Sequence, residues 1–139
     1  MENQQKMAMY GIIAVLSLIG AVLLVTFSFG EWKVDDYYYW ASAGTFYGVL
    51  IVPVALLLFY CSAIYIIQII APGKLPEIME KLVLYFSLTA FIVCLLGGIF
   101  FQVKLAIDNP VDWWFGAGFY GGIIASPLTA LFAFIVQKN

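Results

Sequence analysis

Long uncharged runs of hydrophobic residues dominate the chain, and its polar positions are confined to short segments between them. The runs cover residues 7–29, 37–73, 82–103 and 113–137. Because a bilayer core about 30 Å thick needs about 20 apolar helical residues, each run is long enough for one crossing. The second run starts with an aromatic segment and ends at a helix stop, Pro72-Gly73. The pattern predicts transmembrane helices at about residues 7–29, 44–70, 82–103 and 115–137.

The overall composition supports a membrane protein. Hydrophobic residues make up 65% of the 139 residues and charged residues 10%, whereas a soluble domain has about 25% charged residues. The runs are continuously apolar, without the alternation of an outer-membrane barrel. The predicted fold is therefore all-α: a single transmembrane domain over residues 1–139, with four helices in a bundle. The net charge of −2 and the lack of a basic cluster exclude nucleic acid as a partner.

The lysines predict an orientation, since they are enriched in cytoplasmic loops. With the N-terminus inside, four lysines lie inside: Lys6, Lys74, Lys81 and Lys138. Only Lys33 and Lys104 then lie outside. We therefore expect a multi-pass protein of the cell (cytoplasmic) membrane with both termini in the cytoplasm.

An offset of 74 residues brings rare residues of the two halves into register. Trp40 falls on Trp114, Gly48 on Gly122 and Pro53 on Pro127. One interpretation is a duplicated helical hairpin, with parallel repeats at residues 1–71 and 75–139. The other is coincidence in a biased composition. In the first case the repeats are related by a pseudo-twofold axis along the membrane normal, unlike inverted transporter repeats.

Small residues and prolines mark the predicted helix contacts. Two glycines one turn apart form a groove in which another helix backbone can approach closely. A proline five residues later removes one backbone hydrogen bond and can bend the helix. The predicted packing residues are Gly44, Gly48, Pro53, Gly97, Gly98, Gly118, Gly122 and Pro127.

Aromatic and acidic residues precede the second and fourth helices. Tyr and Trp suit the headgroup region, and carboxylates are favourable near helix N-termini. This outer interfacial rim comprises Asp35, Asp36, Tyr39, Trp40, Asp108, Asp112, Trp113 and Trp114. It is interpreted either as a membrane anchor or as a binding rim for a cation, a partner loop or a lipid headgroup.

Residues suited to catalysis are scarce. The chain has no His and no Arg, and none of the four predicted spans contains an ionisable acid or base. Proton-coupled transport by one chain is disfavoured, because such pathways use intramembrane ionisable groups. We expect no enzyme activity, no catalytic residue, no cofactor and no metal site.

The plan of the chain resembles the animal claudin and peripheral-myelin-protein class. The likeness rests on four spans, both termini inside, and a last helix in which Phe119-Tyr120 leads to Pro127-Leu128. That family's first outer loop is long enough to form a small sheet and carries two cysteines. Here residues 30–40 are expected to be too short for one and contain no cysteine, and only Trp32 matches.

Three functions follow as hypotheses. The first is a structural or accessory subunit that packs against other membrane protein subunits or against itself within the lipid bilayer. The second is an oligomeric channel, transport or lipid-handling component. The third, implied by the resemblance, is a claudin-like adhesion or membrane-organising protein.

Overall fold

The computed structural model describes residues 2–42, 44, 47–108 and 112–138, without the side chain of Asp108. Its four long helices are each long and apolar enough to cross a membrane, which confirms that prediction. The helices are α1 Asn3–Thr26, α2 Gly48–Ile70, α3 Glu77–Asp108 and α4 Ala117–Lys138. Helix α3 extends beyond residues 82–103, because a helix continues past the point where charged side chains begin. Its first turns carry Glu77 and Lys81, an exposed i,i+4 ion pair at 3.5 Å.

The helices form a ring in chain order. Helix α1 packs against α2 and α4, and α3 packs against the same two helices, so α1 and α3 occupy opposite corners. Consecutive helices run in opposite directions. Both described termini and the α2–α3 connection therefore lie at one end, which we call the terminal end. The α1–α2 and α3–α4 connections lie at the other, which we call the sheet end.

The core divides into two apolar clusters along the bundle. The larger cluster, nearer the sheet end, includes Leu24, Ile51, Leu58, Cys94 and Phe101. The smaller one, nearer the terminal end, includes Ile13, Cys61, Ile64, Tyr65 and Val83. Side chains from several helices meet in each cluster, so the chain has an interior of its own apart from any lipid.

A three-stranded antiparallel sheet covers the sheet end. Its strands are β1 Gly30–Val34, β2 Tyr37–Ala41 and β3 Asp112–Phe115, in the order β2-β1-β3. The expectation that residues 30–40 are too short for a sheet is wrong. The two-residue turn Asp35-Asp36 is enough to join β1 and β2, with Asp35 in the left-handed region at φ 54°. The third strand, β3, belongs to the α3–α4 connection.

Backbone hydrogen bonds join this sheet to the helix ends. The Phe29 N–H donates to the Ala41 carbonyl at 2.7 Å, and the Gly116 N–H donates to the Phe29 carbonyl at 3.0 Å. The Gly118 N–H, in the first turn of α4, donates to the Ser28 carbonyl at 2.9 Å. The segment after α1 is thus bonded to both the strand that leads into α2 and the start of α4.

Candidate interaction face at the sheet end

The proximal face of the sheet packs against the helices through aromatic rings. Trp32 stacks on its cross-strand neighbour Tyr39, with centroids 5.8 Å apart, and meets the Phe101 ring of α3 edge-on at 5.8 Å. On the other side of Trp32, the Trp113 ring of β3 lies 6.0 Å from Phe101. The buried Phe101 therefore packs against β1 and β3, and β2 is joined to this cluster through the Trp32–Tyr39 stack.

The opposite, distal face points away from the helices. Successive side chains of a strand alternate between the two faces, so the neighbours of the proximal Trp32 belong to the distal face. Together with their register partners they form two rows across the sheet. The distal face comprises Glu31, Lys33, Tyr38, Trp40, Asp112 and Trp114.

The first row places a carboxylate between two tryptophans. Glu31 pairs in register with Trp40 on one side and Trp114 on the other. The Trp114 indole N–H donates to Glu31 Oε2, and the Ser28 hydroxyl donates to Glu31 Oε1 at 3.1 Å. These bonds hold the carboxylate and one indole in place. The side chain of Trp40 is 56% exposed.

The second row places an ammonium group between an aromatic ring and an acid. Lys33 Nζ lies 5.3 Å from the ring centroid of Tyr38, within the range of a cation–π interaction. Its other register partner is Asp112. The distal face thus combines large exposed rings with fixed charges of both signs, a composition suited to contact with another protein.

The predicted rim residues lie in four places. Tyr39 and Trp113 are on the proximal face, and Trp40, Asp112 and Trp114 are on the distal face. Asp35 and Asp36 form the hairpin turn, and Asp108 is the last residue of α3. The sheet brings the β2 and β3 residues together on either side of β1.

The central strand was missed as the organising element of the rim. Its residues Glu31, Trp32 and Lys33 contact both neighbouring strands, although only the segments directly before helices were singled out. The signal is present in the sequence, because Gly-Glu-Trp-Lys-Val alternates apolar and polar residues and leads into an Asp-Asp turn.

Four of the predicted packing glycines lie at close contacts between elements. A Cβ at Gly118 would lie 2.9 Å from the Phe27 and Ser28 carbonyl oxygens. A Cβ at Gly122 would lie 2.8 Å from Cys94 Sγ, and one at Gly98 would lie 2.7 Å from the Phe119 ring. At Gly97 the nearest atoms are Leu50 methyl groups at 3.2 Å.

The remaining predicted packing residues are less crowded or not defined by contacts. Gly44 precedes α2 in a turn, and an added Cβ there would meet nothing within 4 Å. Gly48 is buried in the first turn of α2. Pro53 is exposed within α2, and Pro127 is half-buried within α4. Residues 45 and 46 of the predicted second span lie outside the described residues.

Further glycines outside that set are also crowded. Gly116 has no room for a Cβ beside the Ser28 backbone, and Gly121 would place one 2.7 Å from Leu23. At Gly20 of α1 an added Cβ would lie 2.5 Å from the Ala125 Cβ of α4. The α1–α4 interface is therefore built on small residues along much of its length.

A cluster of polar side chains connects helices α2, α3 and α4 by hydrogen bonds at the terminal end. Gln68 of α2 donates to Glu80 Oε2 at 3.2 Å, and the Tyr65 hydroxyl donates to Glu80 Oε1 at 3.5 Å. Gln137 of α4 donates to the Glu80 carbonyl at 2.7 Å. Glu80 was missed because it precedes the predicted third span. Its partners make the cluster a structural link between three helices.

No protein-family model, no curated protein and no solved structure matches this chain.

Proposed function

We propose that the chain is a non-catalytic accessory subunit of a larger assembly in the cell membrane. In this proposal its distal face docks an extramembrane segment of another membrane protein. The observation that carries it is the first row of that face, with Glu31 held between Trp40 and Trp114. Trp and Tyr dominate interface hot spots, and fixed charges beside them give orientation and specificity.

A protein partner fits the distal face better than lipid does. The face points away from the bundle, whereas a ring that anchors in the headgroups would project sideways from it. Glu31, Lys33 and Asp112 would lose their hydration in hydrocarbon, which is costly for charged groups. The edges of the proximal face, Tyr39 and Trp113, are better placed for the interfacial anchoring expected of aromatic residues.

The non-catalytic part of the proposal rests on composition. Without His or Arg, the chain lacks the usual general base for nucleophilic catalysis and the usual bidentate anion clamp. Its proposed partners are other membrane protein subunits and the bilayer, with both termini on the cytoplasmic side as the lysines predict.

A claudin-like role in adhesion or membrane organisation is the second candidate. The three-stranded sheet favours it, because the first connection contributes two strands despite its shortness. In that role the distal face would meet a second copy of the chain.

We also propose that the chain is a duplicated helical hairpin. The register supports this: Glu31 pairs with Trp40 and Trp114, and Trp32 pairs with Tyr39 and Trp113. Both pairs of partners are related by the same 74-residue offset. Gly48→Leu and Gly122→Leu should then destabilise the bundle alike, while Val49→Leu, at a position 77% exposed, should be tolerated. An effect at only one glycine would contradict the symmetry.

Site-specific photo-crosslinking in native membranes tests the docking proposal. A benzophenone amino acid replaces Tyr38 or Trp40 on the distal face. The matched control is Tyr37, which is 71% exposed on the same strand but belongs to the opposite face. We expect one defined product with an unrelated protein from positions 38 and 40 and none from 37. A product of two copies would favour the second candidate, and lipid adducts alone would contradict both.

A further inference from the structure

A groove between α3 and α4 starts at the terminal end and descends along the bundle. Its upper part has a volume of about 340 Å³ and is lined by Lys81, Leu84, Tyr85, Phe134, Gln137 and Lys138. Its lower part has a volume of about 460 Å³ and is lined by Leu84, Leu88, Phe91, Pro127, Ala130, Leu131 and Phe134. Because Leu84 and Phe134 line both parts, the two form one continuous groove.

The upper part carries two ammonium groups beside aliphatic and aromatic side chains. Lys138 Nζ lies 5.8 Å from the ring centroid of Phe134, which places it over the groove. Lys81 is paired at 3.5 Å with Glu77, and both side chains are largely exposed. Such an exposed pair is weak, so Lys81 can turn to another anion at little cost. No acidic residue lines either part of the groove.

The lower part is apolar, and the two parts together have the length of one lipid chain. From Lys81 to Phe91 helix α3 rises about 15 Å, roughly half of a bilayer core about 30 Å thick. The lower part is lined by Pro127 and Ala130 of α4 and by the longer side chains of Leu88 and Phe91 on α3. The groove therefore matches the depth of a single leaflet.

We propose that this groove binds an anionic phospholipid from the leaflet at the terminal end. Its phosphate lies between Lys81 and Lys138, with the Tyr85 hydroxyl as a further hydrogen-bond donor. One acyl chain lies between Leu88 and Leu131 and ends near Pro127. The charge of the upper part selects an anionic headgroup, since basic pockets between helices attract anionic lipids.

Native mass spectrometry of the delipidated full chain tests this proposal. The probes are phosphatidylglycerol and phosphatidylcholine with identical acyl chains, each added to the detergent-solubilised protein. We expect one phosphatidylglycerol molecule to bind at least about fivefold more tightly than phosphatidylcholine. Lys81→Gln with Lys138→Gln should abolish this preference. Lys74→Gln with Lys104→Gln removes the same charge away from the groove and should leave the preference intact.

A second variant locates the acyl chain. Leu88→Trp, at a half-exposed position, should fill the lower part and weaken binding of both lipids by about fivefold or more, with the helical circular dichroism unchanged. Equal affinity for the two lipids would overturn the proposal. An equal loss of the preference in both double lysine variants would show that the preference depends on net charge alone. That result would also overturn the proposal. Unchanged binding of both lipids by Leu88→Trp would place the acyl chain outside the groove and would also overturn the proposal.

Discussion

Glycines allow the segment after α1 and the start of α4 to approach within backbone contact. Gly116 and Gly118 face the carbonyl groups of Phe27 and Ser28, and the Gly118 N–H donates to one of them. A side chain here would meet backbone atoms, which cannot rotate away as a flexible side chain can. The contact between the segment after α1 and the start of α4 therefore requires residues without a Cβ at positions 116 and 118.

Gly118→Ala should lower the free energy of unfolding by about 1–3 kcal/mol, the usual cost of overpacking. The control is Gly11→Ala in α1, where an added Cβ would meet nothing within 4 Å. Because glycine in a helix interior costs about 0.5–1 kcal/mol relative to alanine, the control should be neutral or stabilising. Unfolding in detergent followed by circular dichroism measures both. Equal stability of the two variants would contradict the close approach.

The sheet joins the two helical hairpins and orients the distal face. Trp32 is its central proximal residue, with ring contacts to Tyr39, Tyr47 and Phe101. Trp40 is exposed and on the opposite face. The same residue type therefore has a packing role at one position and a proposed docking role at the other.

Trp32→Ala should destabilise the fold by about 3 kcal/mol, because it removes a large partly buried ring from this cluster. Trp40→Ala should change stability by only about 0.5 kcal/mol, as expected for an exposed side chain. Thermal unfolding of the two purified variants checks the difference. A large loss for Trp40→Ala would mean that the distal face packs against the chain itself.

The register of β3 can be tested by disulfide formation in a chain with Cys61 and Cys94 replaced by Ala. Lys33→Cys with Asp112→Cys joins register partners whose Cβ atoms are about 5 Å apart, close enough for a bond after small adjustments. Lys33→Cys with Trp113→Cys places the thiols on opposite faces. The first pair should oxidise readily and the second should not. Equal oxidation, measured by intact mass, would contradict the pairing.

The helices could be predicted from the sequence because a bilayer imposes their length and apolarity. The third strand of the sheet could not, since β3 has four residues and pairs with a strand about 80 positions earlier. Strands this short depend on tertiary partners such as Phe101 more than on local preference. The aromatic segments were recognised as rim residues, but their arrangement around Glu31 and Trp32 required the fold. The role of Glu80 could not be predicted, because a charged residue marks the end of an apolar run in the sequence although the helix continues through it.

At the scale of the whole molecule, charge differs between the two ends. The terminal end carries four lysines, Lys6, Lys74, Lys81 and Lys138, against the acids Glu2, Glu77 and Glu80. The sheet end carries five acids, Glu31, Asp35, Asp36, Asp108 and Asp112, against Lys33 and Lys104. This distribution is the basis for the predicted cytoplasmic termini. It also matches the proposed anionic lipid site at the terminal end.

Labelling in intact cells tests the orientation, again in the chain without native cysteines. Asn3→Cys and Lys138→Cys should be protected from a membrane-impermeant maleimide, whereas Asp36→Cys in the hairpin turn should react. Disruption of the membrane should make all three reactive. Reaction at position 3 or 138 in sealed cells would reverse the topology.

The mass of the particle released from native membranes in mild detergent tests the proposed accessory role most directly. The account predicts a particle that contains this chain together with at least one unrelated membrane protein. Trp40→Ala with Trp114→Ala should release the chain from that particle without unfolding it, whereas Tyr37→Ala should not. A wild-type chain that is solely monomeric, or a particle unchanged by the double substitution, would contradict docking through the distal face.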